Sequence, residues 1–367
     1  MDIPFVDLRS QYLSIKDEID SAIQKVIFES AFIGGNDLKS FENNFANFVG
    51  ANYCIGVGNG TDALFIALKS LGISKGDEVI TVANSFIATS EAIAMTGASV
   101  VFVDCDEKTY NIDVNKIEQK ITNKTRAIIP VHLYGQPAAM DEILNIAKKY
   151  NLFIIEDAAQ AHGSKYHGKN IGVLGDFACF SFFPGKNLGA YGDAGAIVTN
   201  NSDLAKKARM FANHGRTEKY NHEFEGVNSR LDGLQAAILN VKLKHLDEWT
   251  ERRRTIAKMY DEGLRDLLVT PYVLPDVRHV YHLYVIRVQN RDKIVKHLKE
   301  KGIHTGIHYP IPLPFLNAYQ YMGHKQEDFS VAYSLKDEIL SLPIHGSMPD
   351  EQVEYVISNL KEAIKIC

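Results

Sequence analysis

Short apolar runs alternate with stretches of helical periodicity along most of residues 50–240. Four of the runs are rich in β-branched side chains, which is typical of strands that are buried on both faces. They cover residues 78–82, 99–103, 127–131 and 152–155. Stretches such as residues 138–150 and residues 9–29 repeat apolar side chains at helical spacing instead. This alternation predicts an α/β fold with a mostly parallel central sheet flanked by helices.

The pattern changes near residue 234, where one long helical tract rich in Leu, Lys, Arg and Glu begins and runs to residue 267. Beyond it, residues 281–288 have the pattern of a strand, and residues 291–301 and 350–366 have that of helices. We therefore expect a smaller α+β domain at the C-terminal end, with the boundary inside the helical tract. The predicted domains are residues 1–245 and 246–367.

Composition narrows the class of protein. The chain has 367 residues, of which 46% are hydrophobic, and a formal charge of −5, which disfavours nucleic acid as a partner. The one notable basic run, residues 252–254, lies in a helical pattern and is expected on a solvated face. The N-terminus does not resemble a signal peptide, and no segment has the length and apolar character of a membrane span.

The cysteines indicate the redox compartment. The chain has four cysteines, Cys54, Cys105, Cys179 and Cys367. Their spacings match neither a metal site nor a redox motif. We expect a reduced, cytoplasmic protein without a membrane anchor.

Two residues carry the strongest chemical signal. Asp157 follows an apolar run at the carboxyl end of a predicted parallel strand, where ligands bind in open α/β sheets. Lys186 lies in residues 181–189, a segment that two phenylalanines and a proline make stiff. Alone, a lysine is usually solvated, and a carboxylate often caps a backbone group. Together they predict a pyridoxal phosphate enzyme, because that aldehyde needs an amine that holds it as a Schiff base and a carboxylate at its ring nitrogen.

A glycine-rich turn at residues 58–62 precedes a helical pattern. A helix N-terminus presents free N–H groups and therefore suits a phosphate. A capped helix without a ligand is the commoner meaning of such a turn, and only its combination with Asp157 and Lys186 favours a phosphate here. Thr61 and Ser181 are candidates to bind that phosphate.

Two further side chains could contact the cofactor ring. Gln160 either donates to the ring hydroxyl or satisfies a loop carbonyl. Phe86 either stacks on the flat ring or lies in the core.

His304 and His308 are spaced like metal ligands on a helix. Gly306 and Pro310 disfavour that helix, and the sequence offers no third ligand. We expect no metal here and place both histidines in a loop near the substrate.

Once these residues are assembled, the chain closely resembles the DegT/DnrJ/EryC1/StrS family of sugar aminotransferases, which are pyridoxal phosphate enzymes of fold type I. The resemblance runs nearly end to end. It is carried by residues 3–8, 58–64, 156–163, 181–189, 226–237 and 308–313. Residues 183–193 look most like the members that aminate a 3-keto-6-deoxyhexose carried on dTDP.

The resemblance implies a role for each candidate residue. Lys186 would form the internal aldimine as the catalytic residue, while Asp157 would meet the pyridine nitrogen and Gln160 the ring hydroxyl. The cofactor-binding set is Gly60, Thr61, Phe86, Asp157, Gln160, Ser181 and Asn228, and the substrate set is Phe183, His308 and Tyr309. Asn228 matches a position that reaches the phosphate from the neighbouring subunit, which implies a homodimer with shared active sites.

The activity that the resemblance implies is a ping-pong transamination. The amino group would pass from an amino acid, expected to be L-glutamate, to pyridoxal phosphate, leaving pyridoxamine phosphate. It would then pass to a nucleotide-linked keto sugar, converting dTDP-3-oxo-6-deoxyhexose into dTDP-3-amino-3,6-dideoxyhexose.

Three alternatives remain. A 4-keto nucleotide-sugar aminotransferase would preserve every cofactor residue named above. The related 3-dehydratase branch has a histidine in place of the lysine, so Lys186 argues against it. A non-catalytic cofactor-binding regulator would be expected to carry a DNA-reading domain, for which the sequence shows no room.

One position departs from the family pattern. Residues 192–195 read Gly-Asp-Ala-Gly, where many members have Gly-Asp-Gly-Gly. If that position needs a positive φ, Ala194 adds local strain.

Overall fold

Seven strands form the central sheet of the protein, and helices pack around it. The computed structural model describes residues 1–366. The strands are β1 (Tyr53–Val57), β2 (Glu78–Val82), β3 (Ser99–Val103), β4 (Thr125–Ile129), β5 (Phe153–Asp157), β6 (Lys165–Tyr166), β7 (Lys169–Asn170), β8 (Phe177–Ser181), β9 (Gly195–Thr199), β10 (Arg216–Glu218), β11 (Asn221–His222), β12 (Val277–Arg278), β13 (Tyr284–Arg287) and β14 (Ile339–Leu342).

Three α-helices precede β1, others separate the later strands, and the last one ends the described part of the chain. They are α1 (Leu8–Ser14), α2 (Lys16–Glu29), α3 (Gly35–Val49), α4 (Gly60–Ser70), α5 (Ala88–Met95), α6 (Val114–Ile117), α7 (Met140–Tyr150), α8 (Ser202–Phe211), α9 (Gly233–Leu243), α10 (Leu246–Leu264), α11 (Arg291–Glu300), α12 (Ser330–Leu335) and α13 (Asp350–Ile366).

The strand order of the central sheet is β1-β9-β8-β5-β4-β2-β3. Strands β8, β5, β4, β2 and β3 pair in parallel, while β9 runs antiparallel to both of its neighbours. The prediction of a mostly parallel α/β sheet is confirmed. Because β1 also points the same way as β8, the chain leaves β1, β2, β4, β5 and β8 at one common edge of the sheet.

The predicted element boundaries were right for β2 and β3 and wrong for two long helices. The helix expected over residues 9–29 is interrupted at Ile15, which separates α1 from α2. The tract expected over residues 234–267 is two helices, α9 and α10, that are separated by Lys244 and His245. The two parts of the first helix also differ in burial, since α1 buries none of its residues and α2 buries Ile19 and Val26.

Two main hydrophobic cores fill the molecule. The larger one surrounds the central sheet. The other is built chiefly from α10, α11, α13, β13 and β14, and it includes Ile3 from the N-terminal segment. The division of the chain at residues 245 and 246 stays a prediction.

The structure corrects the expectations for the basic run and for Ala194. The basic run lies on α10, but Arg253 is buried and donates to three backbone carbonyls, so the expected solvated face is wrong for this residue. Ala194 is not among the residues with positive φ, and the departure from the glycine pattern adds no strain of that kind.

The structure also bears on the cysteines and on a membrane span. Cys54, Cys105 and Cys179 are buried free thiols, and Cys367 lies outside the described residues. None of the helices in residues 1–366 combines the length and the apolar character needed to cross a membrane.

Candidate active site

A cavity of about 800 Å³ opens at the sheet edge where the parallel strands end. It gathers side chains from segments that are far apart in sequence. Nearly all of the residues singled out from the sequence line it, namely Gly60, Thr61, Phe86, Asp157, Gln160, Ser181, Phe183, Lys186, His308 and Tyr309. Asn228 and His304 do not.

Lys186 is presented to this cavity by a tight turn after β8. The N–H of Lys186 donates to the carbonyl of Phe183 at 2.8 Å, and the N–H of Ala190 donates to the carbonyl of Phe182 at 2.7 Å. Burial lowers the pKa of the Lys186 amine to about 8, although the nearby Asp157 carboxylate acts in the opposite direction. At pH 7 roughly a tenth of the amine is therefore uncharged, far more than for a solvated lysine, and the uncharged form is the nucleophile.

Asp157 is the last residue of β5 and is almost completely buried. Burial raises the pKa of its carboxyl group, while hydrogen bonds and the charge of Lys186 oppose that rise. Its Oδ2 atom accepts from the hydroxyl of Thr89 at 2.7 Å, and its Oδ1 atom accepts from the N–H of Ala159 at 3.2 Å. These donors fix the direction of the carboxylate and favour its charged form.

The neighbouring Glu156 anchors the end of β5 from the other side of the strand. Its carboxylate accepts from the backbone N–H groups of Gly172, Leu174 and Gly175 at 2.9 to 3.1 Å. It also lies 3.1 Å from Nε2 of His132. Because Nδ1 of His132 accepts from the N–H of Ala138, Nε2 carries the ring proton and donates to Glu156. The strand end that carries Asp157 is thereby fixed.

A site for a phosphate forms where α4 begins beside the end of β8. Asn59 caps α4 by accepting from the N–H of Asp62 at 2.8 Å. Gly60 and Thr61 are the first residues of the helix, so their N–H groups have no acceptor within it. A Cβ on Gly60 would lie 2.7 Å from Cβ of Ser181, which shows how closely the turn and the strand end approach. The free N–H groups at the start of α4 and the hydroxyl of Ser181 thus lie close together.

Gln160 joins the cavity to the loop that contains Tyr309. Its Oε1 atom accepts from the N–H of Tyr134 at 2.6 Å, and its Nε2 atom donates to the hydroxyl of Tyr309 at 3.1 Å. The ring of Tyr309 lies 5.9 Å from that of Phe86, centroid to centroid. Gln160 therefore satisfies backbone and side-chain partners, and one of its amide hydrogens remains for a ligand.

The two loop histidines differ in position. His308 lines the cavity, with Nδ1 at 2.8 Å from the hydroxyl of Ser341 and its ring stacked on Phe5. Burial lowers the pKa of His308 to about 4. His304 lies outside the cavity and pairs with Asp2, so the expectation that both histidines face the substrate is wrong for His304.

Sequence reasoning missed several residues that line the cavity. Thr89 holds Asp157, and only its position three residues after Phe86 hinted at it. His282 and Asp193 also line the cavity. His282 arrives from a distant segment between β12 and β13, and no local pattern could have placed it there. Its ring is held at 3.2 Å from the side-chain oxygen of Asn187, next to Lys186.

Asn228 is exposed and pairs with Asn213 in an isolated bridge. The next residue, Ser229, connects the segment to the glycine-rich turn. Its hydroxyl donates to Asp62 at 2.6 Å and accepts from the N–H of Gly58 at 2.9 Å. The segment is thus fixed relative to α4, while Asn228 is exposed and does not line the cavity of its own chain.

The residues present fit pyridoxal phosphate. The close approach of Gly60 to Ser181 leaves no room for a Cβ, so the free N–H groups at the start of α4 lie beside the Ser181 side chain. On the other side, a buried carboxylate and an amine with a lowered pKa face the same cavity. This donor set matches a group that has a phosphate, a basic ring nitrogen and an aldehyde.

Comparisons with known proteins agree with this geometry. The sequence profile of the DegT/DnrJ/EryC1/StrS aminotransferase family matches residues 13–361. The chain is 49% identical to the dTDP-3-amino-3,6-dideoxy-alpha-D-galactopyranose transaminase of Aneurinibacillus thermoaerophilus, over 97% of this chain and 98% of that protein. It is 47% identical to the pleiotropic regulatory protein of Geobacillus stearothermophilus, over 99% of this chain and 98% of that protein.

Solved structures share the whole fold. DesV of S. venezuelae, in complex with a ketimine intermediate, superposes with a TM-score of 0.97 at 42% identity, covering 99% of this chain and 98% of that one. NtdA of Bacillus subtilis, with bound pyridoxamine phosphate, superposes with a TM-score of 0.91 at 35% identity, covering 99% of this chain and 85% of that one.

Proposed function

The chain belongs to the DegT/DnrJ/EryC1/StrS aminotransferase family, and we propose that it transfers an amino group from L-glutamate to C3 of a dTDP-linked 3-oxo-6-deoxyhexose. The observation that carries the chemistry is the pairing of the Lys186 amine with the buried carboxylate of Asp157 across one cavity. The sugar, its keto position and its carrier are argued from the names of relatives, such as the Aneurinibacillus transaminase.

Pyridoxal phosphate, when bound, supplies an aldehyde carbon that takes up an amino group and a ring that accepts the electrons released at the donor's α-carbon. Gly60, Thr61 and Ser181 bind its phosphate through N–H and hydroxyl groups. Asp157 holds the proton at its ring nitrogen, and Thr89 keeps that carboxylate in place.

Lys186 acts twice. Its amine, which the lowered pKa leaves partly uncharged near neutral pH, would hold the cofactor through the aldehyde carbon. Once an amino-acid donor occupies that carbon, the freed Nζ would carry a proton between the donor's α-carbon and C4′. With the keto sugar, the same amine moves the proton in the reverse direction.

The side chains at the outer part of the cavity face the substrate in this proposal. Phe183 is more than half exposed, and His308 and Tyr309 approach from the opposite wall. Because burial keeps His308 uncharged, it offers a neutral hydrogen-bonding nitrogen and adds no positive charge beside Lys186.

We further propose a homodimer in which Asn228 reaches the phosphate of the neighbouring subunit. Its exposure, and its not lining the cavity of its own chain, are compatible with this role. Large apolar side chains such as Phe28, Phe32 and Ile33 are exposed and would be covered in such a dimer. The buried free thiols suit a reducing compartment, and we place the enzyme in the cytoplasm.

The homodimer can be tested by complementation between Lys186→Ala and Asn228→Ala. Each variant alone should lose turnover at a cofactor concentration that saturates only the wild type. Mixed dimers contain one site with both native residues, so unfolding and refolding the two together should restore about a quarter of the wild-type rate. No recovery in a mixture that forms dimers would contradict shared active sites.

The substrate is tested by parallel assays of the dTDP-linked 3-keto and 4-keto sugars with L-glutamate. We expect turnover of the 3-keto isomer. Preferential turnover of the 4-keto isomer would replace the proposed substrate and leave the cofactor chemistry unchanged.

A second candidate function, a cofactor-binding regulator without catalysis, is favoured by the name of the Geobacillus relative. The poised amine of Lys186 favours an enzyme, since a regulator needs no proton carrier. If Lys186→Ala retained the full rate of amino transfer, the catalytic proposal would fail.

A further inference from the structure

A second lysine, Lys242, is buried close to the turn that presents Lys186. It belongs to the last turn of α9, and its side chain is fully inaccessible to solvent. Its Nζ atom donates to the carbonyl oxygen of Gly189 at 2.6 Å and lies 4.7 Å from the ring centroid of Tyr191. In residues 1–366 it forms no ion pair with a carboxylate.

Burial at this position destabilises the charged form of the amine. Removing a charge from water is compensated only when strong partners replace the water, and Lys242 has one carbonyl and one ring face. Burial accordingly lowers the pKa of Lys242 to about 8. A methionine would fill a similar volume without this desolvation, so packing alone does not require a lysine. What the amine adds is the bond to Gly189.

Gly189 is the point at which the Lys186 turn closes on itself. A Cβ at this residue would lie 2.2 Å from the carbonyl oxygen of Pro184, so the two legs of the turn are in direct contact. Fixing the carbonyl of Gly189 therefore fixes the leg that precedes Lys186 as well as the one that follows it.

Helix α9 holds the turn at two points. Besides Lys242, Gln235 accepts from the N–H of Tyr191 at 2.8 Å through Oε1. Gln235 and Lys242 are seven residues apart, nearly two helical turns, and so lie on the same face of α9. The helix thus holds a backbone donor and a backbone acceptor of the segment that follows Lys186.

We propose that Lys242 is a positioning residue, which through the carbonyl of Gly189 holds the turn so that the Lys186 amine stays in the cavity beside Asp157. This inference rests on the proposed function, because it assigns Lys186 the reacting amine. Lys242 itself touches neither the cavity nor a substrate.

The test uses Lys242→Met and measures Lys186 directly in cofactor-free protein. Reductive methylation with formaldehyde and cyanoborohydride over a pH series, followed by peptide mass spectrometry, gives the pH midpoint of Lys186 reactivity. In the wild type we expect a midpoint near the lowered pKa, about 8. In Lys242→Met a looser turn lets water reach the amine, and the midpoint should rise by about one pH unit or more.

A second readout is kinetic. The half-reaction of the cofactor-loaded variant with L-glutamate should slow about tenfold or more. The apparent KM should change little, because the variant displaces the Lys186 amine and leaves the binding of L-glutamate unaffected. Lys242→Arg, which keeps a donor to the carbonyl, should recover part of both readouts. Lys116→Met, at a distant lysine that is paired with Asp104, is the control and should change neither.

A folded Lys242→Met protein with the midpoint and half-reaction of the wild type would overturn the proposal, as would an equal shift in the control. If Lys242→Met fails to fold, Gln235→Ala decides: a raised midpoint supports positioning by α9, and an unchanged midpoint overturns it. A wild type that ignores glutamate would refute the proposed function alone, since the midpoint is measured without cofactor or substrate.

Discussion

At the scale of single residues, the site depends on how burial and hydrogen-bond partners set the protonation of Lys186 and Asp157. Lys186 and Asp157 face the same cavity, and burial acts on both in the direction of their neutral forms. Asp157 receives compensating hydrogen bonds, while Lys186 receives none from residues 1–366. The uncharged form is therefore favoured more strongly at the amine, and the carboxylate is held charged.

The first prediction concerns the pH at which the protein captures its cofactor. Because the pKa of Lys186 is lowered to about 8, the bimolecular rate of pyridoxal phosphate binding should rise with pH and level off above that value. Stopped-flow absorbance of cofactor-free protein measures it. A rate that keeps rising to pH 10 would indicate an ordinary, solvated lysine.

The second prediction concerns Thr89, which sequence reasoning missed. Thr89→Val removes the hydroxyl donor of Asp157 and keeps the shape of the side chain. Hydrogen bonds to charged groups contribute about 1.5 to 3 kcal/mol, so cofactor affinity should fall roughly ten- to hundredfold. Titration of the cofactor absorbance measures this affinity. Thr89→Ser keeps the hydroxyl, and it should bind nearly as the wild type does; equal losses in both variants would argue against the hydrogen bond.

At the scale of elements, the site exists because strand ends and one helix end are fixed to each other. The end of β5 is held by Glu156, which accepts from three backbone N–H groups of the loop before β8. The start of α4 is held by the cap of Asn59. These contacts position Asp157 and the phosphate donors before any ligand arrives.

The third prediction tests the anchor of β5. Glu156→Gln replaces a carboxylate oxygen by an amide that cannot accept, and this leaves buried N–H groups unsatisfied. The free energy of unfolding should fall by about 2 to 5 kcal/mol, as measured by urea denaturation. Glu262→Gln changes an exposed glutamate on α10 and should have little effect. Similar stabilities of the two variants would contradict the role of Glu156.

The sequence alone predicted the parallel sheet because its buried strands are short apolar runs, such as residues 78–82 and 99–103. Its motifs, together with the family resemblance that they carry, also named ten residues that line one cavity, and the position of Asp157 at the carboxyl end of a parallel strand indicated where that cavity lies. It did not predict the breaks at Ile15 and at Lys244 and His245, because helical spacing in the sequence does not mark the few residues at which one helix ends and the next begins.

Residues that reach the site from distant segments were beyond sequence reasoning. His282 and Lys242 carry no local signal, because their roles depend on which chain segment packs against the Lys186 turn. Arg253 was expected in solvent because arginine usually is. Only the packing of α10 against the segments that carry Tyr281 and Ile344 explains its burial.

At the scale of the whole molecule, buried histidines link stability to pH. Burial lowers the pKa of His162 and His279 to about 3 and that of His345 to about 4. Their unfolded values are about 6.5. Between about pH 6.5 and 4 the unfolded chain therefore binds protons that the folded protein does not.

The fourth prediction follows from this difference in proton binding between the unfolded and folded states. The stabilising contribution of these histidines is complete above pH 6.5 and is lost as the pH falls towards 4, at up to about 1.4 kcal/mol per pH unit for each residue. Unfolding curves over this range measure the loss. His162→Gln should reduce the slope, and His304→Gln, at an exposed histidine, should not. An unchanged slope in His162→Gln would show that this residue is not the source.

The central claim is amino transfer to C3 of a nucleotide-linked sugar, and nitrogen-15-labelled L-glutamate tests it most directly. The cofactor-loaded enzyme is incubated with the labelled donor and the dTDP-linked 3-keto sugar, and the product is examined by mass spectrometry and NMR. The account predicts one labelled nitrogen on C3 of the sugar and no such product with Lys186→Ala. A sugar that stays unlabelled, while the protein binds pyridoxal phosphate, would contradict the proposed function.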